Sequence, residues 1–531
     1  MKKFLIFVFL FILNISLYSA SEPYTIQLEQ ITIPGSPKIH SFSFADHNGV
    51  WLFVGGRING MHGFDAPTSF PKQYSNINIF VVNPQSKLTY SKNIFSDLEF
   101  TVADPLRSTN MQYYYDGAKL YMIGGFGYDS TSKSLITFPS LTVIDVAEVI
   151  QAVINGSSVS PFIRQINDER MRVCGGEMYK LGDYFYLAGG HNFTGSYTQF
   201  VNSQVYTNQI KKFKIFDNGS LTSITDYSTL TDTIQYHRRD MNLVPAIRPD
   251  GINKYMILYG GVFKYEANLP YLNPIYIDQN GATVDYGFEQ KMSQYTCSYL
   301  SAFNSSSGNM HTTFFGGTSL YYFNESTNQQ IRDTLIPFIN DVSTLTKRAD
   351  GTSAEIISNA KMPTLLGPNA KFILNPSVPH FDNGVIKLDE ISGNTFAGYI
   401  FGGIRAYLPN NTPSFPSEYI LKVYINPTAI GINTLSGITP QTFKLHQNFP
   451  NPFNPVTKIK FELQKTQFVR LVVYNSLGEI VSELINEKLN PGVYESEFSA
   501  ETQNGTLSSG VYYYSISSEV FSDTKKMLLL K

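Results

Sequence analysis

Charged side chains in this sequence gather in three short clusters: Asp104 with Arg107, then Asp168, Glu169, Arg170 and Arg172, then His237, Arg238, Arg239 and Asp240. Guanidinium groups that face a common space bind carboxylates or anionic sugars, because the planar fork donates paired hydrogen bonds and never loses its charge. Arg107, Arg170, Arg172, His237, Arg238 and Arg239 are therefore the candidate ligand-binding residues. Every cluster also carries acids, so the competing use of these arginines is to pair with neighbouring carboxylates and knit the fold. Other chemistry has little to stand on. The eight histidines are scattered without HxH or HExxH spacing, and neither a CxxC, a GxSxG nor a glycine-rich phosphate loop is present. No catalytic set, no metal and no cofactor is expected. A net charge of −2 without any basic stripe argues against nucleic acid as a partner.

These clusters sit just ahead of a repeated unit that must position them. A strand-like segment, a tight turn and an apolar run closed by two glycines recur six times, ending at Gly55 and Gly56, Gly124 and Gly125, Gly189 and Gly190, Gly260 and Gly261, Gly316 and Gly317, and Gly402 and Gly403. Runs such as WLFV, KLYMI and YFYLA lack polar alternation, which fits strands buried on both faces. Turns such as AspHisAsnGly at Asp46 and ProAspGly at Pro249 close hairpins. The paired glycines fit strand ends where positive φ or a close backbone leaves no room for a Cβ. The pairs lie 56 to 86 residues apart, so one unit is repeated with loop insertions.

Six hairpins each ending in GlyGly resemble kelch repeats, which implies a six-bladed β-propeller over residues 22–426. In such a propeller the strand before the turn is innermost and the GlyGly strand second. Residues 24–33 (YTIQLEQITI) precede the first hairpin, and the sixth repeat runs short of an outer strand, so 24–33 is expected to close the last blade. Insertions 59–76, 127–139, 191–207, 262–272 and 404–416 follow glycine pairs and are expected on one face, rich in Tyr, Phe, Asn and Ser suited to a glycan or protein ligand. Cys174 and Cys297 fall on inner strands of separate blades and are expected as two buried thiols. Some kelch propellers are sugar-acid mutarotases, and that resemblance offers an enzymatic alternative with Glu169 or Glu177 beside Arg172. A copper-radical oxidase would draw on Tyr295 and Cys297, but the sequence places no histidine ligands near them.

The two ends address transport. Residues 1–20 join Lys2 and Lys3 to ten apolar residues and a small-residue site, as in a signal peptide, and the apolar stretch is too short for a stable membrane span. Residues 427–441 read as a linker. Residues 442–531 are short alternating strands, hence a small β-sandwich. Within them QNFPNPFNP (Asn448, Pro450, Asn451, Pro452, Phe453, Asn454, Pro455), the turn at Gly478, the strand start at Gly510 and Lys525 with Lys526 resemble the C-terminal sorting domain of the type IX secretion system of Bacteroidetes and their relatives. That resemblance implies an immunoglobulin-like fold, the type IX machinery as partner and a destination on or beyond the cell surface. The expected protein is all-β, a secreted or surface binding module whose ligand the sequence leaves open.

Overall fold

Each apolar run that closes on a glycine pair is the second strand of an antiparallel sheet. The computed structural model describes residues 22–531 apart from 64, 66, 198–203, 266, 325, 328, 428–432, 437–439, 441, 490, 503–504 and 519, and the expected signal peptide lies outside the described residues. The chain is all-β, with 53% of residues in strands and 7% in helices. Sheet I takes Ser43–His47, Val50–Val54, Asn78–Asn83 and Leu88–Asn93 in that order, and sheets II to V follow the same order with later segments of the chain. Sheet VI holds Ala370–Leu374, Thr395–Gly402 and Ile420–Pro427, and its outer strand is Tyr24–Ile31 from the start of the chain, paired from Tyr24 opposite Pro427 to Ile31 opposite Ile420.

The lack of polar alternation in these strands follows from their surroundings. Leu52 and Val54 pack with Leu120 and Met122 of sheet II, whereas Trp51 and Phe53 of the same strand pack with Ile373 and Phe401 of sheet VI. Four further cores follow this rule: II packs on III through Tyr121 and Phe185, III on IV through Tyr186 and Leu258, IV on V through Tyr255 and Phe314, and V on VI through Phe315 and Leu421. Sheet VI returns to sheet I, where the Phe401 and Phe53 rings stack at 4.2 Å.

The glycine pairs sit where one sheet's backbone meets the next. In four of the six pairs the second glycine donates its N–H to a carbonyl just ahead of the next inner strand: Gly56 to Ser108 at 2.8 Å, Gly125 to Val173 at 2.9 Å, Gly190 to Arg238 at 2.7 Å, and Gly403 to Ile39 of sheet I at 3.0 Å. The first glycine leaves space for the same stretch of backbone. A Cβ on Gly402 would lie 2.7 Å from the Ile39 oxygen, and one on Gly124 would run into the Val173 oxygen.

Three features depart from a plain repeat. Val146–Asn155, between the third and fourth strands of sheet II, is an α-helix whose Val149, Ile150 and Val153 join the I–II core, and which stops where Gly156 turns left-handed at φ 69°. The fifth repeat carries an unanticipated hairpin, Tyr321–Asn324 with Gln329–Arg332, after its glycine pair. The third is residues 375–392, between the first two strands of sheet VI, which extend to other sheets: Ile386–Lys387 runs parallel to the inner strand of sheet V, Asp382 pairs with Lys254 of sheet IV at 2.5 Å, and the Asn383 carbonyl accepts from Tyr179 of sheet III at 2.9 Å.

The tail is two four-stranded sheets around one core that includes Phe453, Phe461, Leu471, Tyr514 and Leu529. Asn433–Ser436, within the stretch read as linker, already pairs with Gly492–Ser499 of this sandwich. Because a Cβ at Gly124 meets a backbone oxygen that has nowhere to go, Gly124→Ala should cost more than about 4 kcal/mol or abolish folding. Gly117→Ala, at a turn with φ 98° and nothing within 4 Å of the added carbon, should cost only about 1–2 kcal/mol. Denaturant titration of both variants checks this, and equal losses would remove the steric role assigned to the pair.

Candidate functional site

Just ahead of each inner strand stands one residue in the left-handed region: Ser41, Asn110, Gly175, Asp240, Thr296 and Asn369, with φ between 46° and 68°. Short polar side chains tolerate this conformation through local hydrogen bonds. Their backbones also join sheet to sheet, since Asn110 N–H donates to the Ser41 carbonyl at 3.3 Å, Gly175 to Asn110 at 2.9 Å, Asp240 to Gly175 at 2.7 Å and Asn369 to Thr296. Side chains continue the contact, with Asn110 Nδ2 donating to Asp240 Oδ1 at 3.3 Å and Thr296 Oγ1 to Asn369 Oδ1 at 2.7 Å. Two residues further along, Glu177 of sheet III pairs with Lys371 of sheet VI at 3.4 Å, and the lysine also lies over the Tyr113 ring. Burial raises the pKa of both Glu177 and Asp240, opposed by Lys371 in the first case and by Arg239 in the second.

The six candidate ligand residues do not share one guanidinium pocket. Arg107 pairs with Asp104 at 2.5 Å and donates to the Tyr128 carbonyl. Arg170 pairs with Asp168 at 2.5 Å and Arg172 with Glu169 at 2.6 Å, so Arg172 serves Glu169 while Glu177 faces Lys371. Arg238 is fully buried, donating to the carbonyls of Gln235, Gly260 and Asn273 beneath the Tyr271 ring. It braces the fourth glycine pair. Arg239 turns the other way, to His191 Nε2 at 3.2 Å, Tyr197 OH at 2.9 Å and Gln204 Oε1 at 3.1 Å. His237 stacks on Tyr206, and the charge of Arg239 acts on the same tyrosine.

Arg239 belongs to a cover built from the loops that follow the glycine pairs. Phe70 of the first loop packs on Phe126 of the second at 5.1 Å, Phe126 on Phe193 of the third, and the His62 ring lies between Phe70 and Tyr197. Tyr197 N–H donates to Ser69 Oγ at 2.6 Å, joining the first and third loops over the second. Burial keeps the histidines here neutral, lowering the pKa of His40 to about 3 and that of His62 to about 4, and holding His191 well below the usual range. Cys174 lies 3.7 Å from His191 Nε2, yet burial pushes its thiol up to about 12, so it is no thiolate nucleophile. Cys297 is likewise a buried free thiol pushed up to about 12, contacted by Asn242. Among the described residues no group of three or more His, Cys, Asp or Glu side chains is placed to hold a metal ion.

At the margin of this cover lies a feature no sequence pattern announced. The His237 ring stacks on Tyr206 at 3.8 Å, and Tyr265, about half exposed, stands perpendicular to it at 5.7 Å. His237 Nδ1 bonds Asn208 Oδ1 at 2.8 Å, which fixes the ring. A four-residue ionic knot also went unannounced: Arg164 grips Asp145 at 2.6 Å and Asp217 at 2.8 Å, with Lys119 on the same Asp217, binding sheet II to sheet III.

In the tail the sorting-motif residues converge on the last strand. Asn448 is buried against Thr457 Oγ1 and the Pro450 carbonyl, Asn451 Oδ1 accepts Leu528 N–H at 2.9 Å, and Phe453 exchanges backbone bonds with Leu528 and Leu530. Pro450, Pro452 and Pro455 supply no amide donors along this run. Asn454 is exposed, Gly478 turns the Asn475–Glu479 hairpin at φ 82°, and Gly510, Lys525 and Lys526 lie in the pairing of the final two strands.

Residues 447–530 match the family of secretion system C-terminal sorting domains. No curated protein matches the chain. Among solved structures, that of YjhT aligns with a TM-score of 0.40 and 11% identity over 72% of this chain and 94% of its own. A fungal alcohol oxidase of the AA5 family, solved with copper, aligns with a TM-score of 0.38 and 9% identity over 96% of this chain and 100% of its own. The sorting domain marks proteins exported by the type IX secretion system to the cell surface or extracellular space, and it engages that machinery. Among the described residues no helix is long and apolar enough to cross a membrane.

The buried neutral histidines carry a pH signature. His311, bonded to Thr346 and edge-on to Tyr24, has its pKa lowered to about 3 by burial, so the unfolded chain takes up a proton near pH 6.5 that the folded chain refuses. Its contribution to stability is whole above that pH and is lost as pH falls toward 3, amounting to about 2 kcal/mol by pH 5. Asp46 and Glu355, raised by burial to about 6 and about 7, act in the opposite sense, so the comparison must be made against wild type. His311→Gln should shrink the loss between pH 7 and pH 5 by about 2 kcal/mol in denaturant titrations. Equal losses in both proteins would remove the assignment.

Proposed function

We propose that sheets I to VI are the blades of a six-bladed kelch-like propeller over residues 22–426, with the outer strand of its last blade supplied by the N-terminal segment. Residues 1–20 then serve as signal peptide, 427–441 as the connection, of which Asn433–Ser436 joins the sandwich, and 442–531 as the sorting domain. Support for the propeller comes from six cores that lead from each sheet to the next and from VI back to I. The repeated glycine-to-carbonyl bond, made by Gly403 to Ile39 as by Gly56 to Ser108, supports the same circuit.

We infer that the exported propeller is a binding module and that a glycan is its ligand. In a six-fold circuit, Glu177 and Lys371 stand on opposite blades and meet on the axis. Residues 375–392 cross it from blade VI to blade III at one end, and the cover around His62 and Tyr197 lies at the other. Such an axis leaves ligands the outer surface. The observation that carries the reading is the angled aromatic step of Tyr206, His237 and Tyr265, with Asn208 and Gln204 beside it. Aromatic faces pack against the apolar C–H faces of sugars, while amides bond the hydroxyl groups.

A sugar-acid mutarotase remains the second reading. Glu177 supports it, since burial keeps its carboxyl protonated at higher pH than usual, as an acid catalyst needs. Lys371, rather than Arg172, would then meet the substrate carboxylate. A glycan-array screen of the mature protein separates the readings when the hits are followed by NMR for anomer exchange. The expected result is binding without exchange, weakened at least about tenfold, or 1.4 kcal/mol, in Tyr265→Ala. Exchange abolished by Glu177→Gln would establish the enzyme instead, and absence of any glycan binding would overturn both.

A further inference from the structure

We propose that Phe449 is the anchor by which the type IX machinery grips this protein, and that its partner is a component of that machinery with an apolar socket in an acidic rim. Phe449 is 79% exposed, whereas Phe453, four residues on in the same motif, is 2% exposed within the sandwich core. Exposure of a large apolar ring is ordinary on a mobile tip, but this ring is mounted on a fixed support. Phe449 exchanges backbone hydrogen bonds with Lys458 at 2.9 and 3.0 Å. The preceding Asn448 donates its N–H to Tyr514 OH at 2.8 Å, and Asn448 Nδ2 donates to the Pro450 carbonyl.

The support is tied to the end of the chain as well. Gln447 Nε2 donates to the Lys526 carbonyl at 2.7 Å, Leu528 N–H to Asn451 Oδ1 at 2.9 Å, and Leu530 N–H to the Phe453 carbonyl at 3.1 Å. The matched sorting family runs from residue 447 to residue 530, so its first and last residues are the two sides of this clasp. The recognised unit is thus a single ridge in which the start of the motif and the last strand are joined. A ring held in place before binding gives up little conformational freedom on docking, the condition under which one aromatic side chain dominates an interface.

Charge indicates what the socket must offer. Lys526 is exposed on the strand that Gln447 clasps, while Lys458, half exposed opposite Phe449, is already paired with Glu495 at 3.0 Å. Carboxylates around an apolar socket would complement Lys526. Leu477 at 80% and Val520 at 63% sit at hairpin tips, where exposure follows from the turn itself, and Ile480 at 56% and Leu530 at 50%, at a strand start and beyond a strand end, are less exposed than Phe449.

The test uses the full chain in a host with a working type IX system, with export measured as the surface plus medium fraction and folding as the melting temperature of the purified protein. Phe449→Ala should retain its melting temperature and lose export at least fivefold, with Leu477→Ala exported as wild type. Should Phe449→Ala fail to fold, Phe449→Gln, which keeps the reach of the side chain, carries the same readout. Normal export of either folded variant overturns the proposal. Normal export joined to loss of a self-associated species in gel filtration would overturn it too, assigning the ridge to a second copy of the chain.

Discussion

The structure depends on one backbone contact, made where four of the six glycine pairs meet the carbonyl oxygen ahead of the next inner strand. Four bonds of 2.7 to 3.0 Å follow one pattern, from Gly56, Gly125, Gly190 and Gly403. At that separation the two chains leave no volume for a side chain, so the requirement for glycine is steric as well as conformational. The contact fixes how far apart adjacent sheets stand and therefore how thick the apolar layer between them is. Leu52 and Phe53 can then fill two different cores from one strand.

The same contact determines where polar groups must go. Inner strands brought this close turn their first residues toward one another, and the left-handed residues Asn110, Asp240, Thr296 and Asn369 satisfy one another there. Glu177 and Lys371 meet in the same region, and each partner offsets part of the other's desolvation.

Legibility in the sequence followed the range of the interaction. The apolar runs, their turns and the glycine pairs are local, and the all-β chain was readable from them. Ion pairs three residues apart or closer, such as Asp104 with Arg107 and Asp168 with Arg170, were readable as knitting for the same reason. The step of Tyr206, His237 and Tyr265 was not, because its rings come from three segments that only the fold assembles. Arg238 and Arg239 show the limit most sharply: neighbours in sequence and alike in chemistry, they point in opposite directions, one to the backbone beside the fourth glycine pair and one into the loop cover. Residues 375–392 were not legible because this insertion occurs in one unit alone and its partners lie in sheets III, IV and V, far away in sequence.

The tail meets the opposite problem from the six sheets. There, backbones must approach, and glycine removes the Cβ that would keep them apart. At the edge of the sandwich a further strand must be refused, because an exported protein with an open edge pairs with its neighbours. Proline removes the amide donor that such pairing needs, and Pro450, Pro452 and Pro455 lie in the segment that runs beside the last strand. The outward groups of that strand are taken up one at a time, by Gln447, Asn451 and Phe453. A segment that closes an edge in this way cannot itself be read through its backbone. What it has left to present is side chains, and of its aromatic side chains the one turned to solvent is Phe449.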